Sequence, residues 1–166
     1  MNRRAWILGS LFALQPALAQ AAVYVLIDGI PGAVTTQAYL SWHHGTSFNW
    51  EFNKANTALP FKLEVVMPQR SANFASIKLA AFNRAGIKRI VIDQTATVAN
   101  GATQVATRLT CDGAIITAMA FSSQDESAPT AQLQLGCAKV LWEDFEYSSS
   151  GTFVRSVKGE STLIAK

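Results

Sequence analysis

Few residues of this 166-residue chain could do chemistry, and the histidines are the first to consider. His43 and His44 are its only histidines, and they are adjacent. Because adjacent side chains of a strand point to opposite faces, one metal ion could hardly bind both. The chain also has no HExxH pattern, no G-x-S-x-G elbow and no phosphate-binding glycine loop. These patterns predict neither a metal site nor a cofactor site.

The carboxylates are the second candidate group, because two acids on facing elements could act as a glycosidase pair. They are scattered, and nothing in their spacing selects two of them: Asp28, Asp93, Asp112, Glu143, Asp144 and Glu146. We interpret each as a solvated residue of a strand edge or turn. The sequence therefore predicts no catalytic residue and a protein that is not an enzyme, with an undetected hydrolase as the minor alternative.

The two cysteines, Cys111 and Cys137, flank a polar loop at 122–130 almost symmetrically. If 107–121 and 131–147 pair as a hairpin, the cysteines lie opposite each other, with Cα atoms roughly 4.5–5.5 Å apart. That separation suits a disulfide. We expect this disulfide, with two buried free thiols, or a reactive or metal-binding pair, as the alternatives.

The first residues have the three parts of an export signal. A short basic region, Asn2 to Arg4, precedes an apolar stretch from Ala5 to Leu14 that is too short to span a bilayer. Small residues then offer a cleavage site near 19–21. The pattern predicts a signal peptide over 1–21 and a single domain over 22–166, secreted or periplasmic in a bacterium. The general and twin-arginine routes both fit the paired arginines.

The charge of the chain limits its partners. The net charge is +3, but without Arg3 and Arg4 the count is 12 basic residues against 11 acidic ones. A nearly neutral surface does not suit nucleic acid, which requires a concentrated basic face. No later segment is long and apolar enough to cross a bilayer. The sequence predicts neither nucleic acid nor membrane as a partner of the mature form.

Alternating and continuous apolar runs predict a mainly β domain. A buried strand followed by a turn is expected at 22–32, and alternation predicts a strand at 36–42. One helix is predicted over 70–86, capped by Ser71 or Asn73 and ended by Gly86, with a broad apolar face of Phe74, Ile77, Leu79, Ala81 and Phe82. The sum is an antiparallel β-barrel or sandwich of about eight strands with one flanking α-helix.

An aromatic segment stands out between these elements. Phe48, Trp50 and Phe52 alternate with polar residues after Gly45, and polar and small residues follow them. The pattern indicates a protruding loop or short hairpin over 45–59. Its aromatic side chains either fold back onto the core or form an exposed contact surface.

The order of elements and several strings resemble the Hcp family, the tube proteins of type VI secretion. The opening strand and turn read IDGIPG (27–32), the next segment reads YLSWHHG (39–45), and GIKRIVID (86–93) has the expected basic and aliphatic character. The most similar string is CAKVLWEDFEY (137–147). The resemblance covers nearly all of 22–158, more by order and character than by identity.

The resemblance implies a structural protein that assembles with itself into hexameric rings, which stack into a tube and can carry secreted effector proteins. The loop 45–59 would then bridge stacked rings, with Phe48, Trp50 and Phe52 as anchors. The leader, a longer strand ending at Tyr147 and the two cysteines depart from the family. They suit an exported relative adapted to an oxidising compartment.

A monomeric exported binding module is the alternative function. Aromatic and short polar side chains, as in SFNWEFN (47–53), form the kind of surface on which sugars stack. Such a module would use the loop 45–59 to hold a carbohydrate or a protein.

Overall fold

The computed structural model describes residues 21–52, 61–123 and 128–163, which form nine β-strands and one α-helix. The strands are β1 (Val23–Ile27), β2 (His43–Gly45), β3 (Ser47–Phe52), β4 (Phe61–Pro68), β5 (Ile87–Thr97), β6 (Thr103–Ser122), β7 (Thr130–Gly136), β8 (Lys139–Tyr147) and β9 (Phe153–Thr162). The helix α1 is Phe74–Phe82, and a 3-10 helix spans Gln37–Tyr39. The predicted fold class is confirmed, with nine strands instead of about eight. The predicted signal peptide lies outside the described residues except for residue 21.

All strand pairs are antiparallel, and the strands follow the order β2-β1-β5-β6-β7-β4-β3. The strands β8 and β9 branch from this path, because β8 pairs with β6 beside β7 and β9 pairs with β8. Among the described strands, β2, β3 and β9 each pair with one neighbour only. The sheet therefore has three strands with a free edge.

One hydrophobic core lies inside the folded sheet. Inward-facing residues alternate with outward-facing ones along the strands, as the two-residue period requires. The largest fully buried apolar side chains come from four strands and the helix: Leu63, Met67, Ile77, Ile90, Ile92, Leu109 and Leu133. Burial of this kind contributes about 1.5–3 kcal/mol for each large side chain.

The long strand β6 pairs with β5 along one edge and with β8 and then β7 along the other, and it bends between the last two pairings. Its first part, up to Asp112, pairs with β8, and its second part, from Ile115, pairs with β7. Gly113 lies at the bend with a φ of 60°, and a Cβ there would lie 2.9 Å from the Cβ of Ala138. The bend therefore depends on glycine for both its backbone conformation and its close approach.

The predicted ribbon over 107–147 forms, but its register differs from the expected one. Cys111 lies opposite Val140, and Ile115 lies opposite Gly136. Cys137 consequently occupies the corner between β7 and β8 and does not face Cys111 directly. The partner of Cys111 is thus three residues further along the chain than predicted. The sequence could not reveal this offset, because 131–147 reads as one continuous strand, whereas a corner at 136–138 interrupts it.

The prediction of a strand at 36–42 is wrong. This segment forms the 3-10 helix, and the ring of Tyr39 stacks on that of Tyr24 with centroids 3.9 Å apart. The segment therefore covers the outer face of β1 instead of pairing with a strand. Of the predicted apolar face, Ala38 and Leu40 are exposed, whereas Tyr39 between them is the buried residue.

The predicted helix is present but shorter, and its ends differ from expectation. Asn73 is the N-cap residue, yet its side chain donates to the carbonyl of Pro31 at 2.8 Å and caps nothing. At the other end Arg84, with a φ of 47°, takes the left-handed conformation expected of Gly86. The sequence identifies the helix but not the residues that end it.

Candidate assembly surfaces

The two histidines lie on opposite faces of β2, as the strand period predicts. His43 is 1% exposed, whereas His44 is exposed. The Nε2 of His43 lies 2.9 Å from the carbonyl oxygen of Ile30, and since that oxygen can only accept, Nε2 donates. Burial lowers the pKa of His43, and the bond to Ile30 offsets this in part. Among the described residues, no three potential metal ligands come together.

Asp93 is fully buried, so its interpretation as a solvated residue is wrong. Arg108 on β6 holds it in a bidentate ion pair, donating from Nε at 2.7 Å and from the second guanidinium nitrogen at 2.6 Å. The phenol of Tyr39 also interacts with this carboxylate, and burial followed by the charge of Asp93 raises the pKa of Tyr39. This carboxylate is structural, because its partners satisfy it.

A row of cross-strand residue pairs that includes Asp93 crosses the outer face of the sheet. Tyr24 lies opposite Asp93, which lies opposite Arg108, then Glu143 and then Lys158 on successive neighbouring strands. Opposite charges alternate along the row, and the Nζ of Lys158 is 3.1 Å from a carboxylate oxygen of Glu143. Cross-strand pairs of this kind stabilise a sheet.

A shallow cavity of about 380 Å³ lies on the same face over β6, β8 and β9. Its lining residues include Arg108, Glu143, Lys158 and Glu160. Each of these charges already has an ion-pair partner. Arg108 pairs with Asp93, Lys158 pairs with Glu143, and Glu160 pairs with Lys139 at 2.9 Å. This arrangement leaves no unpaired charge in the cavity lining with which to recognise a ligand or transfer a proton.

Cys111 and Cys137 form the predicted disulfide, with Cα atoms 5.3 Å apart. Cys111 is fully buried within the core. The bond therefore fastens the corner between β7 and β8 to the middle of β6. The offset register permits the bond because the bend at Gly113 brings this corner towards Cys111.

The segment that contains Phe48, Trp50 and Phe52 is the edge strand β3, paired with β4 as a hairpin whose connection, 53–60, lies outside the described residues. The three aromatic side chains share the face of Phe61, Leu63 and Val65. Phe48 packs against the core, whereas Trp50 is 39% exposed and Phe52 is 44% exposed. The structure thus places all three on one face, and two of them present an exposed surface.

Trp142 on β8 is a contact of this surface that sequence reasoning missed. The ring centroids of Trp50 and Trp142 lie 6.2 Å apart, with their planes at 28°. Trp142 lies flat over Gly159 of β9, where a Cβ would overlap the indole ring. The aromatic pair joins the edge strand β3 to β8, which lies between β6 and β9, and these two strands form no hydrogen-bonded pair. The alternation of residues in 137–147 was the only sequence signal that the side chain of Trp142 points inwards.

The helix α1 presents a second exposed apolar surface. Leu79 is 61% exposed and Phe82 is 82% exposed, although the sequence predicts both in the packed face. Only Phe74 and Ile77 of this helix are buried. Among the described residues, no helix is long and apolar enough to cross a membrane.

Comparison with solved structures shows which fold this is. The chain superposes on a protein described as a type six secretion system protein with a TM-score of 0.71, at 13% identity, covering 85% of this chain and 93% of that one. Hcp1 from Salmonella typhimurium gives a TM-score of 0.70 at 12% identity, covering 87% and 96%. The secreted protein Hcp3 from Pseudomonas aeruginosa gives 0.64 at 15% identity, covering 86% and 98%.

The resemblance to Hcp proteins is therefore confirmed at the level of the fold. At these identities the likeness extends to no individual residue role. Neither models of known protein families nor curated protein sequences match the chain.

Proposed function

We propose that this chain is an exported structural protein, related to type VI secretion, that assembles with copies of itself into hexameric rings and that these rings stack into a tube. The observation that carries the proposal is the Hcp fold, which extends over most of this chain and nearly all of the compared ones. The function requires no catalytic residue, metal or cofactor. Its partners are other copies and secreted effector proteins, and nucleic acid is not among them.

Free strand edges suit the closure of a ring. The strands β2, β3 and β9 have one paired neighbour each among the described strands. An exposed edge offers unpaired N–H and C=O groups that a strand of another copy can satisfy. Because these edges differ in sequence, a contact between two of them is heterologous, and heterologous contacts close into rings when the rotation permits.

The aromatic strand β3 supplies the contact between rings in this proposal. Trp50 and Phe52 are the exposed anchors, and Phe48 supports them from the core side. The stack of Trp50 on Trp142 holds one side of the indole against the protein. This arrangement pre-orders the anchor, which reduces the entropy cost of association.

Export and the disulfide belong to the same proposal. A signal peptide over 1–21 would deliver the single domain 22–166 to the periplasm or the exterior. The bond between Cys111 and Cys137 forms and persists in such oxidising compartments.

The contact between rings is tested with Phe52→Ser, because Phe52 is exposed and its loss costs the fold little. We expect the wild-type protein to form particles of several rings, measured by size-exclusion chromatography with light scattering. The variant should leave single rings. Phe121→Ser is the matched control, since Phe121 is 52% exposed on β6.

Two outcomes would count against this assembly. Single copies of the wild-type protein at every concentration would remove the ring and favour the monomeric binding module. A glycan array with Trp50→Ala as control would then test that module. Equal stacking by Phe52→Ser and Phe121→Ser would leave the ring but remove β3 from the contact between rings.

A further inference from the structure

The helix α1 is apolar on both its inner and its outer side. Phe74 and Ile77 face the core, while Leu79 and Phe82 face outwards with most of their surfaces exposed. A helix that is apolar all round is usually covered on every side. Phe82 is the most exposed large apolar side chain among the described residues. The outer face of the helix therefore has the character of a contact surface.

Basic residues surround this apolar face in the sequence. The stretch from Arg70 to Arg89 contains five cations and no acid: Arg70, Lys78, Arg84, Lys88 and Arg89. Arg89 forms an ion pair with Asp112 at 2.6 Å. No described acid forms an ion pair with the other four, and Arg70, Arg84 and Lys88 are exposed. The face therefore suits a partner that carries negative charge.

The backbone at Arg84 ends the helix. Its φ of 47° lies in the left-handed region. Its N–H donates to the carbonyl of Ala81 at 3.2 Å, and the N–H of Ala85 donates to the carbonyl of Ala80 at 2.9 Å, which is the hydrogen-bond pattern of a helix C-terminus. The exposed side chain of Arg84 forms no ion pair with a described residue, so its charge is available to a partner.

Among the described residues, a second copy offers no surface that fits this face. Two helix faces against each other would bring like charges together, which opposes association. The described acids that form no ion pair, Asp28, Glu51 and Asp144, lie on three different strands or turns and form no acidic patch. A side chain as exposed as Phe82 projects from the surface, so it fits a deformable layer better than a flat protein face.

We propose that the outer face of α1 docks on an anionic lipid surface. Leu79 and Phe82 enter the boundary between headgroups and acyl chains, and Arg84 and Lys88 bind the lipid phosphates. Apolar insertion combined with attraction to anionic lipids is how amphipathic helices lie on membranes. The sequence predicted no membrane partner because no segment after the leader is long and apolar enough to cross a bilayer, and that criterion does not address a helix lying on the surface of a membrane. The contact is peripheral.

Sedimentation with lipid vesicles tests the proposal on the full chain. We expect binding to vesicles that mix phosphatidylglycerol with phosphatidylcholine, and much less to phosphatidylcholine alone. Arg84→Gln and Lys88→Gln should each weaken binding about fivefold, and added salt should weaken it further. The double variant Leu79→Ser/Phe82→Ser should show no detectable binding to the vesicles.

Matched variants separate this face from the rest of the chain. Leu40→Ser is the control for the double variant Leu79→Ser/Phe82→Ser, because Leu40 is 64% exposed on the segment that covers β1. Arg155→Gln is the control for Arg84→Gln, because Arg155 is also exposed but pairs with Glu146. Equal binding by the helix variants and their controls would overturn the proposal. Equal binding to charged and neutral vesicles would do so as well.

Discussion

The two ring nitrogens of the buried His43 differ in their hydrogen bonding. Its Nε2 donates to Ile30, while its Nδ1 has no hydrogen-bond partner among the described residues. A proton on Nδ1 would be buried without an acceptor, which costs free energy. The neutral ring is therefore favoured in the folded state, in agreement with the lowered pKa.

The free energy of unfolding should consequently fall as the pH falls below 6.5, the ordinary pKa of histidine. In that range the unfolded chain binds a proton on this histidine and the folded chain does not. One such group changes the free energy of unfolding by up to about 1.4 kcal/mol per pH unit. The slope ends at the lower folded pKa. Urea unfolding across this range measures it.

The variant His43→Gln removes the titrating group, so its stability should depend less on pH than that of the wild type. His44→Gln is the control, because His44 is exposed on the opposite face of the same strand. The same pH dependence in the wild type and His43→Gln would contradict the assignment of this slope to His43.

Single residues were predictable where local pattern decides them. The opposite orientation of His43 and His44 follows from the strand period alone. The burial of Asp93 was not predictable, because Arg108 and Tyr39, which satisfy it, come from distant parts of the chain. The contact of Trp50 with Trp142 likewise depends on how distant strands meet.

At the scale of elements, the ribbon of β6 with β7 and β8 is the centre of the sheet, because β6 pairs with three strands. The disulfide closes a sequence separation of 26 residues and fastens the ribbon at its corner. In the chain-entropy model, a loop of this length stabilises the folded state by about 3 kcal/mol. The corner is also where the sequence pattern predicted a continuous strand.

The double variant Cys111→Ala/Cys137→Ala should therefore lower the free energy of unfolding by about 3 kcal/mol, measured by urea unfolding under oxidising conditions. A reductant should destabilise the wild type by a similar amount and leave the variant unchanged. An oxidised wild type no more stable than the double variant would show that the bond contributes nothing to the fold.

Element types were largely predictable, and element ends were not. The strands with strict alternation, such as β4, were identified from their apolar residues. The segment 36–42 misled the prediction because its alternating Ala38 and Leu40 are exposed, and Tyr39 between them packs on β1. The helix was recognised, but its outward Leu79 and Phe82 were assigned to the core, since nothing in a short apolar helix shows which side is covered.

At the scale of the whole molecule, fold and sequence carry different information. Identities of 11–15% accompany TM-scores of 0.64–0.71 with structures of Hcp and type six secretion proteins, so the backbone fold is shared while most residues differ. The fold was predictable because it depends on the apolar pattern and the order of elements. Assembly depends on surface residues such as Trp50 and Phe52, whose roles at this identity cannot be transferred.

Negative-stain electron microscopy of the purified, oxidised protein tests the central claim of ring assembly most directly. We expect class averages of closed rings with six-fold symmetry, seen end-on, and short stacks seen from the side. A field of uniform particles the size of one chain, at every concentration examined, would contradict the proposal.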